Sequence, residues 1–91
     1  MNSVKYKSEK DKKFDSIYQA YANDLYKVCL YFTEDKASAQ EITERTFIDF
    51  YSYFEEIDSD YVFAYLVRAA RELFYDLRER RIYERGGEKE I

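Results

Sequence analysis

Six of the chain's arginines (Arg68, Arg71, Arg78, Arg80, Arg81 and Arg85) lie with Tyr65 and Tyr75 in the stretch YLVRAARELFYDLRERR and just beyond it. A guanidinium presents its donors in a fixed fork that grips phosphate oxygens, and a tyrosine ring offers a face to an unstacked base. Arginine and tyrosine in one row are thus the ingredients of a platform for single-stranded nucleic acid. Projected at about 100° per residue, Arg68, Arg71, Tyr75 and Arg78 share one margin of a helix's solvent side, with Glu72, Asp76 and Glu79 along the other. The same spacing sets Arg68 against Glu72 and Asp76 against Arg80 four residues apart. The competing reading is therefore an ion-paired, solvated face.

A second constellation lies upstream. Gln40, Glu41, Glu44 and Tyr51 project to the same side as Ile48, giving an acidic patch around an apolar centre. Burial of Ile48 would supply affinity and the carboxylates orientation, which suits a basic protein partner. The competing reading is an ordinary single exposed apolar residue. Catalytic chemistry finds no footing: there is no histidine, no Gly-rich phosphate loop and no cysteine cluster, and Cys29 sits between Val28 and Leu30 as a small core residue. No catalytic residue, metal ligand or cofactor is expected, and an enzyme is the weakest reading.

These residues need elements to hold them. Ninety-one residues, 46% of them apolar, allow one small core, and the absence of proline with only two glycines, adjacent at Gly86 and Gly87, argues for helices. Apolar residues at Phe14, Ile17, Tyr18, Tyr21, Leu25, Val28, Cys29 and Phe32 predict a first helix. Thr33 or Asp35 can cap a second, from about Lys36 to Phe54, with Ala39, Ile42, Thr46, Phe50 and Tyr53 inward and Thr43 and Phe54 at the margin. The polar stretch EEIDSD reads as a loop, with Ser59 or Asp60 capping a third helix that buries Phe63, Leu66, Val67, Ala70, Leu73, Phe74 and Leu77 and stops before the glycine pair. The expected architecture is all-α, a compact three-helix bundle, or four with a short extra helix. Its largely buried residues are Leu25, Val28, Phe32, Ile42, Phe50, Phe63, Leu66, Ala70 and Leu73. Residues 1–13 read as a basic, flexible arm, 14–83 as the domain and 84–91 as a polar tail or linker start.

Charge is segregated: five bases and two acids over residues 1–13, three and eleven over 14–64, seven and six over 65–91. Different faces are set to meet different partners. No stretch has the length of a membrane span, and no apolar leader is seen, so no membrane is expected and a cytoplasmic setting is.

The span from FDSIYQAYANDLYKVCLYFTEDKASAQEITERTFIDFYSYFEEI through FAYLVRAARELFYDLRERR, about residues 14–82, resembles region 2 of bacterial RNA polymerase sigma factors of the extracytoplasmic-function group. The family shows an aromatic-rich first helix, a pattern like DAEDLVQETF, then one like FRAWLYRIARNLALDYLRRRR; here these stand as SAQEITERTF and VFAYLVRAARELFYDLRERR. The resemblance implies a helical domain that docks on the clamp helices of the polymerase core and captures the non-template strand of the promoter's minus-ten element. It assigns docking to the second helix, with Gln40, Glu41, Glu44, Arg45 and Ile48, where Glu41 matches an acidic family position and Glu44 stands for a usual glutamine. It assigns DNA contact to Tyr65, Arg68, Arg71, Tyr75 and Arg78, and reception of a flipped base to the loop Glu55 to Asp60. An anti-sigma factor is a further partner of such domains. Arg45 replaces a usual acid, Tyr65 a usual tryptophan and Glu72 a usual asparagine; a carboxylate at Glu72 repels phosphate.

The chain has no room for the C-terminal helix-turn-helix domain of complete members, so it reads as an excised domain or a stand-alone relative. Two readings compete with the transcription-initiation module. One is a protein-interaction regulator of the same fold that has lost DNA capture; the other is an unrelated structural bundle.

Overall fold

The computed structural model describes residues 7–90, with side chains through Arg80. Three helices, α1 (Glu9–Thr33), α2 (Lys36–Phe50) and α3 (Val62–Glu90), pack pairwise on one another, and two single 3-10 turns, Phe54–Glu56 and Ser59–Tyr61, join α2 to α3. No strand occurs among the described residues. The fold is the expected all-α, three-helix bundle.

Of the arm expected over residues 1–13, the first six lie outside the described residues, and α1 takes in Lys10 to Lys13. The helix starts five residues ahead of Phe14 because Ser8 caps it: its Oγ accepts from the Asp11 N–H at 3.0 Å, and Glu9 and Asp11 place negative charge at the helix's positive end. Glu34 ends α1 in the left-handed region, φ 57°, its N–H donating to the Leu30 carbonyl at 2.9 Å. Of the two expected caps for α2, Asp35 serves, accepting from the Ser38 N–H at 2.8 Å.

Both ends of the α2–α3 connection differ from expectation. The second helix stops at Phe50, and Tyr53, with φ −142° and ψ 13°, has left helical geometry before the turn at Phe54. Neither Ser59 nor Asp60 caps the next segment; Asp58 does, accepting from the Asp60 N–H at 2.9 Å. At its far end α3 runs through Gly86 and Gly87 to Glu90. A glycine ends a helix by taking positive φ, and no described glycine does so.

The core is Leu25 and Cys29 from α1, Ala39, Ile42, Phe47 and Phe50 from α2, Phe54 from the connection, and Val62, Leu66 and Ala70 from α3. Of the nine residues expected inside, Leu25, Ile42, Phe50, Leu66 and Ala70 are buried. Phe32, Phe63 and Leu73 are half-buried against this core, and Val28 is half-buried. Thr43 and Thr46 are buried at no polar cost, because each hydroxyl donates at 2.7 Å to a carbonyl one turn back, Ala39 and Ile42 respectively.

Candidate functional site

α2 turns Gln40, Glu41, Glu44, Arg45 and Ile48 outward, and Ile48 keeps 68% of its surface accessible. Gln40 Nε2 donates to Glu44 Oε2 at 3.1 Å and Arg45 Nη1 to Glu41 Oε2 at 3.4 Å. Both pairs are one helical turn apart, so the helix itself braces the two carboxylates. They are braced differently. Arginine offsets the charge of Glu41, whereas the amide of Gln40 holds Glu44 without cancelling it.

Beside Ile48, α1 and α2 leave an open groove of about 560 Å³, lined by Phe14, Tyr18, Glu44, Phe47, Ile48 and Tyr51. Its floor is a ring cluster: Phe47 meets Tyr18 edge-on at 4.9 Å between centroids, and Phe14 meets Tyr51 at 5.1 Å. The start of α1 is tied across this floor. Tyr51 Oη donates to Asp11 Oδ1, and Lys10 Nζ stands 4.3 Å over the Tyr51 ring. The hydrogen bond to the Asp11 carboxylate pushes the Tyr51 phenol above its ordinary range. Glu41 lies outside this groove, in a narrow cleft with Ser38, Phe74 and Arg78.

On α3 the row of five predicted contacts divides. Arg68, Arg71 and Tyr75 line one open depression of about 480 Å³ together with Ala64, Val67 and Glu72. Arg68 Nε donates to Glu72 Oε2 at 3.2 Å, the two side chains 80% and 65% exposed. Arg71 makes no ion pair with a described residue, and the other expected pair, Asp76 with Arg80, does not form. Arg78 leaves the row: its guanidinium carbon lies 5.6 Å from the Phe74 ring centre, in the cleft with Glu41. Tyr65 is half-buried between Phe50 and Tyr53, centroids 5.9 and 5.6 Å away. Burial, then a hydrogen bond with Tyr65, pushes the Tyr53 phenol up to about 12.

A third concavity, about 390 Å³, opens between α1 and the α2–α3 connection, where Lys13, Ser16 and Tyr21 face Phe54, Glu55 and Ser59. The sequence reading pointed to its loop side alone. Lys13 lies in the segment read as a basic arm and Phe14 and Tyr18 in the first helix's apolar stripe, yet each lines a groove, as do Ser16 and Phe47, which the inward stripes did not include. Spacing four apart, Phe14 to Tyr18 and Ile17 to Tyr21, was the available signal that α1 presents two apolar edges rather than one stripe. Among the described residues no group of His, Cys, Asp or Glu could hold a metal ion, and no described helix is long and apolar enough to cross a membrane.

With one acidic and one arginine-bearing face on an all-helical body, comparison with known proteins supports the resemblance: along most of its length the chain is similar in sequence to an extracytoplasmic-function sigma factor. It is 35% identical over 77 residues to the ECF RNA polymerase sigma factor SigM of Bacillus subtilis (strain 168), with 85% of this chain aligned. The chain spans 44% of that relative's length. No family model matches the chain, and no solved structure matches it.

Proposed function

We propose that this chain acts as a sigma region 2 module in transcription initiation, docking on RNA polymerase core through α2 and capturing the non-template strand of the promoter's minus-ten element through α3. The observation that carries the reading is the 35% identity to a sigma factor over 85% of the chain. The two faces support it. Glu44 and exposed Ile48, above a groove floored by aromatic rings, suit a basic protein surface with an apolar contact of its own. Arg71 beside the ring of Tyr75 suits a phosphate and an unstacked base.

The concavity at the α2–α3 connection completes the proposal. A base leaving the strand would enter beside Tyr21, whose ring replaces lost stacking over an apolar floor that includes Phe54, while Lys13 meets backbone phosphate and the hydroxyls of Ser16 and Ser59 meet the base edge. Nothing in this scheme calls for bond chemistry by the chain.

The test is capture of purified bacterial core polymerase by the tagged chain, followed by binding of a labelled minus-ten single strand to the complex. Retention of both core and strand supports the module. Retention of core without strand would turn the reading to an interaction regulator of the same fold, and loss of both would sink it.

A further inference from the structure

We infer that Glu72 restrains strand binding: by holding Arg68 it leaves Arg71 as the phosphate-gripping cation of the α3 depression and keeps the isolated chain off single-stranded DNA. The inference rests on the strand-capture reading and adds a regulating residue to it.

Three observations converge. Arg68 Nε and Glu72 Oε2 are 3.2 Å apart, so the guanidinium fork is already engaged on one edge. Glu72 does not merely neighbour the depression but lines it with Arg68, Arg71 and Tyr75, so a phosphate bound there must sit close to a carboxylate. The depression then holds two arginines and one glutamate, a balance of one positive charge, on a chain whose net charge is −4. Phosphate affinity depends on how many cations are available to displace counterions, each contact on a single strand contributing roughly 0.7 to the salt slope. With one cation and one stacking ring, Tyr75, which is 51% exposed, the isolated chain has too little to hold a strand firmly. Capture then awaits a partner that brings the strand to the face.

The restraint has little structural role of its own, since an ion pair this exposed contributes little to folding. Its removal is therefore a clean experiment. A fluorescein-labelled single-stranded oligodeoxynucleotide is titrated with the parent chain, Glu72→Gln, Glu79→Gln, Arg71→Ala and the double variant Arg68→Ala with Glu72→Gln. Anisotropy is read at several salt concentrations, with and without core polymerase, and circular dichroism checks helicity. Glu72→Gln is expected to tighten binding roughly three- to ten-fold at low salt and steepen the salt slope by about 0.7. Adding Arg68→Ala is expected to return affinity and slope to near the parent's values. Glu79→Gln changes net charge equally without touching the pair, so an equal gain there would reduce the effect to overall charge and overturn the inference. So would a Glu72→Gln variant that binds as the parent does; in that case a loss in Arg71→Ala leaves the strand-capture reading standing. If neither the parent nor Glu72→Gln binds the strand even with core present, the reading falls and the inference with it.

Discussion

α2 and α3 carry the same local device, an arginine and a glutamate four residues apart on the solvent side, closed at 3.4 Å in one and 3.2 Å in the other. What differs is the remainder. Once Glu41 and Arg45 have paired, α2 is left with Glu44, Ile48 and a groove of rings; once Arg68 and Glu72 have paired, α3 is left with Arg71 and Tyr75. A face is therefore characterised by the charge that local pairing fails to cancel and by the apolar surface beside it, rather than by its tally of charged residues. The tally over residues 65–91, seven bases and six acids, conceals a cationic remainder at Arg71.

The harshest way to break the comparison is to remove what the faces share. Leu66 is fully buried in the common core, and Leu66→Ala is expected to cost about 2–5 kcal/mol, lowering the urea midpoint and abolishing both binding activities together. Loss of only one activity would show that the faces do not depend on one core. Next in size, Glu44→Lys is expected to weaken binding to core polymerase by about 1–3 kcal/mol with helicity unchanged. Glu41→Lys should cost less, because Arg45 already offsets Glu41; equal losses at fixed salt would refute the distinction between cancelled and remaining charge.

On α3, Arg71→Ala is expected to weaken single-strand binding by about 1 kcal/mol and flatten the salt slope by about 0.7, with Arg78→Ala doing less because Arg78 lies over Phe74 outside the depression. The reverse ranking in a salt titration would move the phosphate track towards Arg78. The smallest effect concerns the tyrosines behind the row. Tyr53 is held neutral up to about 12 in the fold, against about 10 for a tyrosine in an unfolded chain, so its contribution to stability is complete below the lower value and lost as pH rises through the higher. Tyr53→Phe is expected to flatten the decline of stability over that window in alkaline denaturation while leaving strand binding as it was. An unchanged decline would mean that the phenol titrates alike folded and unfolded.

Three helices and most of the core were legible because their apolar residues recur at helical spacing, and that signal is local. The misplaced boundaries were set by interactions that spacing does not carry. Phe50, Tyr53 and Phe54 keep an i, i+3, i+4 pattern whether the chain stays helical or breaks into a turn, and here the rings turn inward from the break. The start of α1 depends on a serine cap and on a hydrogen bond from Tyr51 to Asp11, forty residues apart in sequence. Angular projection set Arg78 on one margin with Arg71, whereas its guanidinium lies over Phe74 in the cleft with Glu41. The ion pair of Arg68 with Glu72 was visible from spacing alone. Arg71 and Tyr75 share one depression with that pair at i, i+3, i+4, i+7 spacing on α3, whereas projection had set Glu72 on the opposite margin.

Cys29, the chain's single cysteine, is fully enclosed where α1 meets α2, and burial raises its thiol above the ordinary range despite the opposing hydrogen bond with Thr43. A thiolate reagent therefore has no target while the helices stay together. Every labelling event reports a molecule that has opened, which makes this residue a built-in clock for the bundle: with reagent concentrated enough for labelling to outpace reclosing, the rate of modification measures how often α1 parts from α2. Run with a saturating partner on either face in turn, the same clock would tell whether engaging α2 steadies the bundle more than engaging α3, without any probe placed on the surfaces themselves.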